Sequence, residues 1–275
     1  MPQPKVALVT GASSGIGEEA ALLLQAQGFT VYGVARRVER MQPLVDKGIH
    51  VLAMDVTDDL SITEGVEKIL AESGRIDVLV NNAGYGSYGA VEDVPLDEAR
   101  RQFEVNVFGL ARLVQLVVPH MRAQGSGRII NISSIGGKIY EPLGGWYHAT
   151  KFAVEGLSDS MRVELRPFGI DVVLIEPGPI LTEWNTIARQ SLVEQSAGTA
   201  YADQAKSVTK VLERFDSPPN ASEPDVVAKK IVKAATTNRP AARYPVGRGA
   251  GTIVRSRRFL PDRLFDAIIT RLFLR

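Results

Sequence analysis

Seven short runs of apolar, largely β-branched residues recur along the chain, at Val6 to Thr10, Thr30 to Ala35, Ile49 to Met54, Val78 to Asn81, Arg128 to Ser133, Asp171 to Glu176 and Arg243 to Val246. Their polar residues do not alternate, so each run predicts a strand buried on both faces, as in a parallel sheet covered by helices. Between them lie longer stretches with apolar positions three and four residues apart. From Gly144 to Phe168, for example, Trp146, Ala149, Ala153, Gly156, Leu157, Ser160, Met161 and Leu165 form a face of small and apolar residues. Such a face packs on a sheet or pairs with a second copy. The alternation of strand and helix reads as repeated βαβ units.

The predicted architecture is α/β, a Rossmann-like doubly wound sheet of about seven mostly parallel strands flanked by helices, in one domain spanning 1–275. Two regions depart from the repeat. After Pro177-Gly178 the periodicity loosens until about Glu223, and a long irregular insertion of this kind, here 181–222, predicts a substrate lid. In the tail, 255–275, Leu260, Leu264, Ile268 and Leu272 recur every four residues beside Phe265, Ile269, Phe273 and six arginines. This predicts a basic amphipathic helix that closes the pocket, docks on a subunit or touches an anionic membrane surface.

Composition narrows the chemistry. With 275 residues, 45% of them hydrophobic, the chain can bury a sizeable core, and a formal net charge of +1 supplies no broad basic face for nucleic acid. Cysteine is absent, which excludes disulfides, thiolate catalysis and cysteine-ligated metals. No run reaches the roughly 18 apolar residues of a transmembrane helix. The N-terminus enters its first strand without a signal-like apolar segment, so the expected location is cytoplasmic.

Thr10-Gly11-Ala12-Ser13-Ser14-Gly15-Ile16-Gly17 joins the first strand to an Ala- and Leu-rich helix. Glycines there permit a tight turn and close backbone approach, and the helix start offers unpaired N–H groups to a pyrophosphate. Asn81-Asn82-Ala83-Gly84 ends the fourth strand, and Tyr147-His148-Ala149-Thr150-Lys151 lies on a predicted helix. In order and spacing these three segments resemble the short-chain dehydrogenase/reductase family over roughly residues 5 to 180. Within that family the later segments look most like the hydroxysteroid and retinol dehydrogenase members.

Tyr147 and Lys151 stand one helical turn apart and share a face, where the ammonium is expected to favour the phenolate. The resemblance implies that Tyr147 exchanges a proton with a carbonyl or alcohol oxygen. It makes Ser134 the residue that orients the substrate, with Ser133 as a rival, and makes Asn106 the holder of a water that links Lys151 to solvent. Lys151 would also bind ribose hydroxyls. The implied cofactor contacts are Gly11, Ser13, Ser14, Gly15, Ile16 and Gly17 in the turn and Asn82, Ala83 and Gly84 after the fourth strand. Asp55 and Val56 would lie at the adenine, with helix capping an equal reading for Asp55. Pro177, Gly178, Ile180 and Thr182 would lie at the nicotinamide. Nothing in the pattern calls for a metal.

The second strand ends in Ala35-Arg36-Arg37, where an NAD enzyme commonly carries an acid for the ribose 2′-hydroxyl. Two guanidinium groups suit a 2′-phosphate instead, so NADP is expected ahead of NAD, although Glu39 is near in sequence. Tyr85, Tyr88, Leu143, Trp146 and Trp184 suggest an apolar mouth and a steroid-, retinoid- or similar carbonyl substrate. The alternatives are a catalytically silent NADP-binding sensor or scaffold, and an epimerase or dehydratase, for which the chain lacks a large substrate domain. A homodimer or homotetramer is the expected assembly. His120 and His148 read as surface or core residues.

Overall fold

The computed structural model describes residues 3–275. Its strands are β1 (Val6–Thr10), β2 (Thr30–Ala35), β3 (His50–Ala53), β4 (Val78–Asn81), β5 (Gly127–Ile132), β6 (Ile170–Pro177) and β7 (Arg243–Val246). The helices are α1 (Gly15–Ala26), α2 (Gln42–Val45), α3 (Asp59–Ser73), α4 (Leu96–Phe103), α5 (Gly109–Gln124), α6 (Gly145–Leu165), α7 (Glu183–Ser196), α8 (Ala202–Phe215), α9 (Pro224–Thr236), α10 (Ala250–Phe259) and α11 (Asp262–Phe273). All seven strands are parallel, in the order β3-β2-β1-β4-β5-β6-β7.

The sheet is apolar on both sides because each side has its own core. Along β1, Ala7 and Val9 pack with Ala20, Ala21 and Leu24 of α1 and Val227, Ala228 and Ile231 of α9. Val6 and Leu8 point to the opposite face, against Ile62 and Val66 of α3, Leu113 and Val117 of α5 and Val154 of α6. The chain reverses its direction of winding between β1 and β4, and the crevice at a doubly wound sheet's switch point opens beyond the carboxyl ends of these strands.

A third apolar cluster lies outside the sheet. Ala188 and Leu192 of α7, Ala205 and Val208 of α8, and Phe265, Ile269 and Phe273 of α11 gather around Tyr88 and Tyr147. Residues 181–222 are therefore mainly a pair of helices rather than an irregular insertion. The single helix expected over 255–275 also needs correction: α10 ends at Phe259 and α11 begins at Asp262. Pro261 forces the preceding Leu260 into an extended conformation, with ψ of 123°, and stops the helix. On α11 the buried stripe is Phe265, Ile269 and Phe273, whereas Leu264, Ile268 and Leu272 are 50%, 44% and 44% exposed. Ile268 and Leu272 nonetheless have an occupation, because both line the main cavity.

Candidate active site

One cavity of about 740 Å3 runs along the carboxyl end of the sheet. It is lined by every proposed catalytic or cofactor-contacting residue except Gly17 and Asn106. Its floor at β1 is the glycine turn, where Gly11 and Gly15 take φ of +67° and +58°, open to glycine at little cost. Gly17 stands behind the turn, so close to the Gly11 carbonyl and the Asn82 amide that a methyl group would overlap both. Its role is to let backbones meet. Ser14 precedes α1 in extended conformation and its hydroxyl caps nothing.

Thr10 fastens this turn to the end of β4. Its hydroxyl accepts from the backbone N–H groups of Asn82 and Ala83 at 2.9 and 3.0 Å, and the Asn82 amide donates to Thr10 O at 2.9 Å. A concave, backbone-lined cradle beside a helix N-terminus results, which fits the pyrophosphate of a nicotinamide dinucleotide.

At the β2 end, Arg37 Nη2 donates to Ser13 Oγ at 3.4 Å and pairs with Glu183 at 3.3 Å. Arg40 binds the same carboxylate at 2.8 Å. Glu183 opens α7, so the helix over the cavity is pinned to the arginines; burial, the largest single effect, pushes its carboxyl up, and the hydrogen bonds and charges of Arg40 and Arg37 together outweigh it and hold the carboxyl below its ordinary value. Arg36 is exposed at the cavity edge. Asp55 is not a helix cap. Its Oδ1 accepts from Thr57 N at 3.0 Å and Thr57 Oγ1 at 2.8 Å, and Asp58 caps α3.

Tyr147, Lys151 and Ser134 meet in the middle. The Tyr147 ring is buried beside Trp184, Tyr88 and His148, with ring centroids 4.9, 5.8 and 5.7 Å away. Burial pushes its phenol well above the ordinary tyrosine value, the Ser134 hydroxyl opposes this, and the charge of Glu141 adds to it. Lys151 Nζ donates to Ile132 O at 2.9 Å and lies 5.9 Å from the Tyr147 ring centroid. Burial drags its ammonium down to about 8, against an upward pull from Glu155. The expected dominance of the ammonium over the phenol thus gives way to desolvation, which favours the neutral phenol.

Ser134 caps the short turn Ile135–Gly137 by accepting from Gly136 N at 3.0 Å. Ser133 is 3% exposed and its hydroxyl is buried without a partner among the described residues. Asn106 lies in a π-helical turn, Glu104–Phe108, behind the cavity wall. Its amide accepts from Tyr85 N at 3.0 Å and donates to Tyr85 O at 2.9 Å and Thr150 Oγ1 at 3.1 Å. The side chain is thereby committed to clamping the loop after β4. A π-bulge at such a place is a recurrent mark of functional sites.

Trp146, expected at the mouth, faces the other way, into a shallow groove with Leu96, Phe103 and Phe108. Adjacent helical residues point about 100° apart, and Tyr147 takes the cavity side. His148 is buried and hydrogen-bonded, with Nδ1 2.9 Å from Gly136 O and Nε2 3.1 Å from Glu141 N. Arg40, Glu141, Glu183 and Asp216 carry no one-dimensional signal for this site; they are ordinary charged residues until the fold gathers them.

A family model described as short chain dehydrogenase matches residues 5–192. The chain belongs to the short-chain dehydrogenase/reductase family and is an oxidoreductase acting between carbonyl and alcohol with a nicotinamide dinucleotide. It is 38% identical over 266 residues to the 3-ketodihydrosphingosine reductase of Bacteroides thetaiotaomicron, covering 96% of each chain. It is 36% identical over 276 residues to the NADPH-dependent 3-dehydrocapnine reductase of Ornithobacterium rhinotracheale, covering 96% of this chain and 95% of that one. The solved short-chain dehydrogenase from Streptomyces avermitilis is similar over 99% of this chain and 96% of its own, with 34% identity and a TM-score of 0.81.

Proposed function

We propose that the protein is an NADPH-preferring reductase of apolar, long-chain ketones or aldehydes, in which Tyr147 donates the proton to the carbonyl oxygen. The observation that carries this reading is the continuity of the cavity, from Arg37 past Tyr147 to an apolar wall that includes Ile139, Leu212, Phe215, Phe265 and Phe273. Cavities of several hundred Å3 with apolar walls and few polar groups suit such ligands.

Bound along the glycine turn, NADPH supplies the hydride for the carbonyl carbon. The chain's residues do the rest. Ser134 and Tyr147 together orient the carbonyl oxygen, and the buried phenol, held in its protonated form, is the acid that reduction requires. Lys151 holds the ribose hydroxyls and, while charged, helps the phenol release its proton. Arg36 and Arg37, both on the cavity wall, receive the 2′-phosphate, which matches a guanidinium pair better than a hydroxyl would. The names of two relatives, one of them NADPH-dependent, support the reductive direction. The helices α7, α8 and α11 act as the lid and far wall, and exclude water from the reacting atoms.

Among the described residues no helix is long and apolar enough to cross a membrane. Two large apolar side chains on neighbouring elements, Phe108 and Phe152, are 55% and 47% exposed, which favours a homo-oligomer formed through this face.

The test is a titration with NADPH and NADH followed by absorbance loss at saturating NADPH over 2-ketones of increasing chain length. Tighter NADPH binding and a KM that falls with chain length are expected. Equal binding of both cofactors, or turnover confined to short polar carbonyls, contradicts the reading.

A further inference from the structure

The cavity contains a negative charge that no protein cation answers. The Glu141 side chain is 17% exposed, and its Oε1 accepts from Tyr88 Oη at 2.7 Å. Among the described residues the one basic group within 4 Å is His148, with Nε2 at 3.8 Å. That ring is neutral by its own hydrogen bonds. Gly136 O can only accept, so Nδ1 carries the proton; Glu141 N–H can only donate, so Nε2 presents its lone pair.

The other charged groups around the apolar end are already matched. Asp216 pairs with Arg189 at 2.7 Å, and Arg257 with Asp262 at 2.6 Å while it covers the rings of Phe265 and Tyr140. Glu141 alone is partly desolvated and unpaired, a state that is unfavourable until a cation completes it. Its position is close to the chemistry: Tyr88, which it binds, has its ring 5.8 Å from that of Tyr147, and the Glu141 charge reaches the Tyr147 phenol.

We propose that Glu141 is a specificity-determining residue that binds a protonated amine a few bonds from the reacting carbonyl, so that the substrate class is a long-chain amino ketone. The proposal rests on the reductase reading above and refines its substrate. In the geometry it implies, the carbonyl faces Tyr147 and Ser134, the ammonium meets Glu141, and the alkyl chain follows the wall formed by Phe215, Phe265 and Phe273. Tyr88 acts as a positioning residue, holding one carboxylate oxygen and leaving the other to the ligand.

The test uses the intact protein with NADPH and three ketones of one chain length: a 2-amino ketone, the same ketone without the amine, and the N-acetylated amine. Wild-type protein is expected to favour the free amine over the other two in kcat/KM by on the order of tenfold or more, the scale of a charge-assisted hydrogen bond. In Glu141→Gln, which keeps an acceptor for Tyr88, that ratio is expected to fall to within about threefold of one. Turnover of the plain ketone with no amine preference in the wild type overturns this proposal and leaves the reductase reading standing. So does a preference that survives Glu141→Gln. If none of the three ketones consumes NADPH, the reductase reading fails and the proposal falls with it.

Discussion

The Lys151 ammonium lies 5.9 Å from the centre of the Tyr147 ring and gives a hydrogen bond to Ile132 O at 2.9 Å. The two residues are thus neighbours in one buried space, each displaced by desolvation toward its neutral form: the phenol upward, the ammonium down to about 8. A reduction needs the protonated phenol and gains from the charged lysine. The rate is therefore expected to hold below about pH 8 and decline above it as Lys151 loses its proton. A kcat/KM profile of ketone reduction checks this, and a profile still flat at pH 9.5 contradicts it.

The two serines at the end of β5 separate cleanly. Ser134 faces the Tyr147 phenol, whereas the Ser133 hydroxyl is buried without a partner. Ser134→Ala is expected to lower kcat by on the order of a hundredfold, the scale of losing one positioned donor. Ser133→Ala removes an unsatisfied polar group and is expected to keep the melting temperature or raise it. Steady-state rates and thermal unfolding of both variants test the assignment, and an equal loss of rate in the two refutes it.

The arginines at the end of β2 predict a cofactor effect of defined sign. Replacing Arg36 and Arg37 together by Gln is expected to weaken NADPH by on the order of tenfold or more, with a much smaller change for NADH. Glu183 competes for Arg37, at 3.3 Å, and also holds the neighbouring Arg40, at 2.8 Å. Glu183→Gln is expected to tighten NADPH by a few-fold at most, since exposed pairs are worth about 1 kcal/mol or less. Fluorescence titration with each cofactor reads both effects.

Much of this site is legible in the chain because its chemistry is local. The turn Gly11 to Gly17 and the Tyr147–Lys151 spacing each lie within one strand–helix junction or one helical turn, and the strands announce themselves because Val6, Ala7, Leu8 and Val9 are all apolar. What escapes is set by tertiary juxtaposition. Glu183 meets Arg37 across 146 residues and Glu141 meets Tyr88 across 53, and nothing in a one-dimensional pattern marks either. The tail is a different case. A ladder at spacing four drifts round a helix of 3.6 residues per turn, so Leu260, Leu264, Ile268 and Leu272 compete with the equally spaced Phe265, Ile269 and Phe273, and packing chose the stripe that carries the two phenyl rings. Pro261 marks the break between α10 and α11 in the sequence itself.

On β6, Glu176 is fully buried, with Arg243 Nε at 3.4 Å. Burial first, then the neighbouring Glu155, raises its carboxyl from 4.5 to about 7, against Lys138 and Arg243. Between those values the folded protein binds more protons than the unfolded chain, so this residue's contribution to stability falls as pH rises from about 4.5 to 7. Glu176→Gln is expected to flatten the decline, by on the order of 1–3 kcal/mol across that window. Denaturant unfolding of both proteins at pH 5 and pH 8 gives the comparison, and parallel pH slopes exclude the effect.

The role of Tyr147 is tested most directly by Tyr147→Phe, which keeps the ring against Trp184 and Tyr88 and removes only the hydroxyl. NADPH affinity and NADPH oxidation on a long-chain ketone are measured on the same preparation. Binding within about threefold of wild type, with kcat lowered by on the order of 100- to 10,000-fold, is the expected result. Turnover at the wild-type rate in this variant contradicts the assignment of Tyr147 as the proton donor.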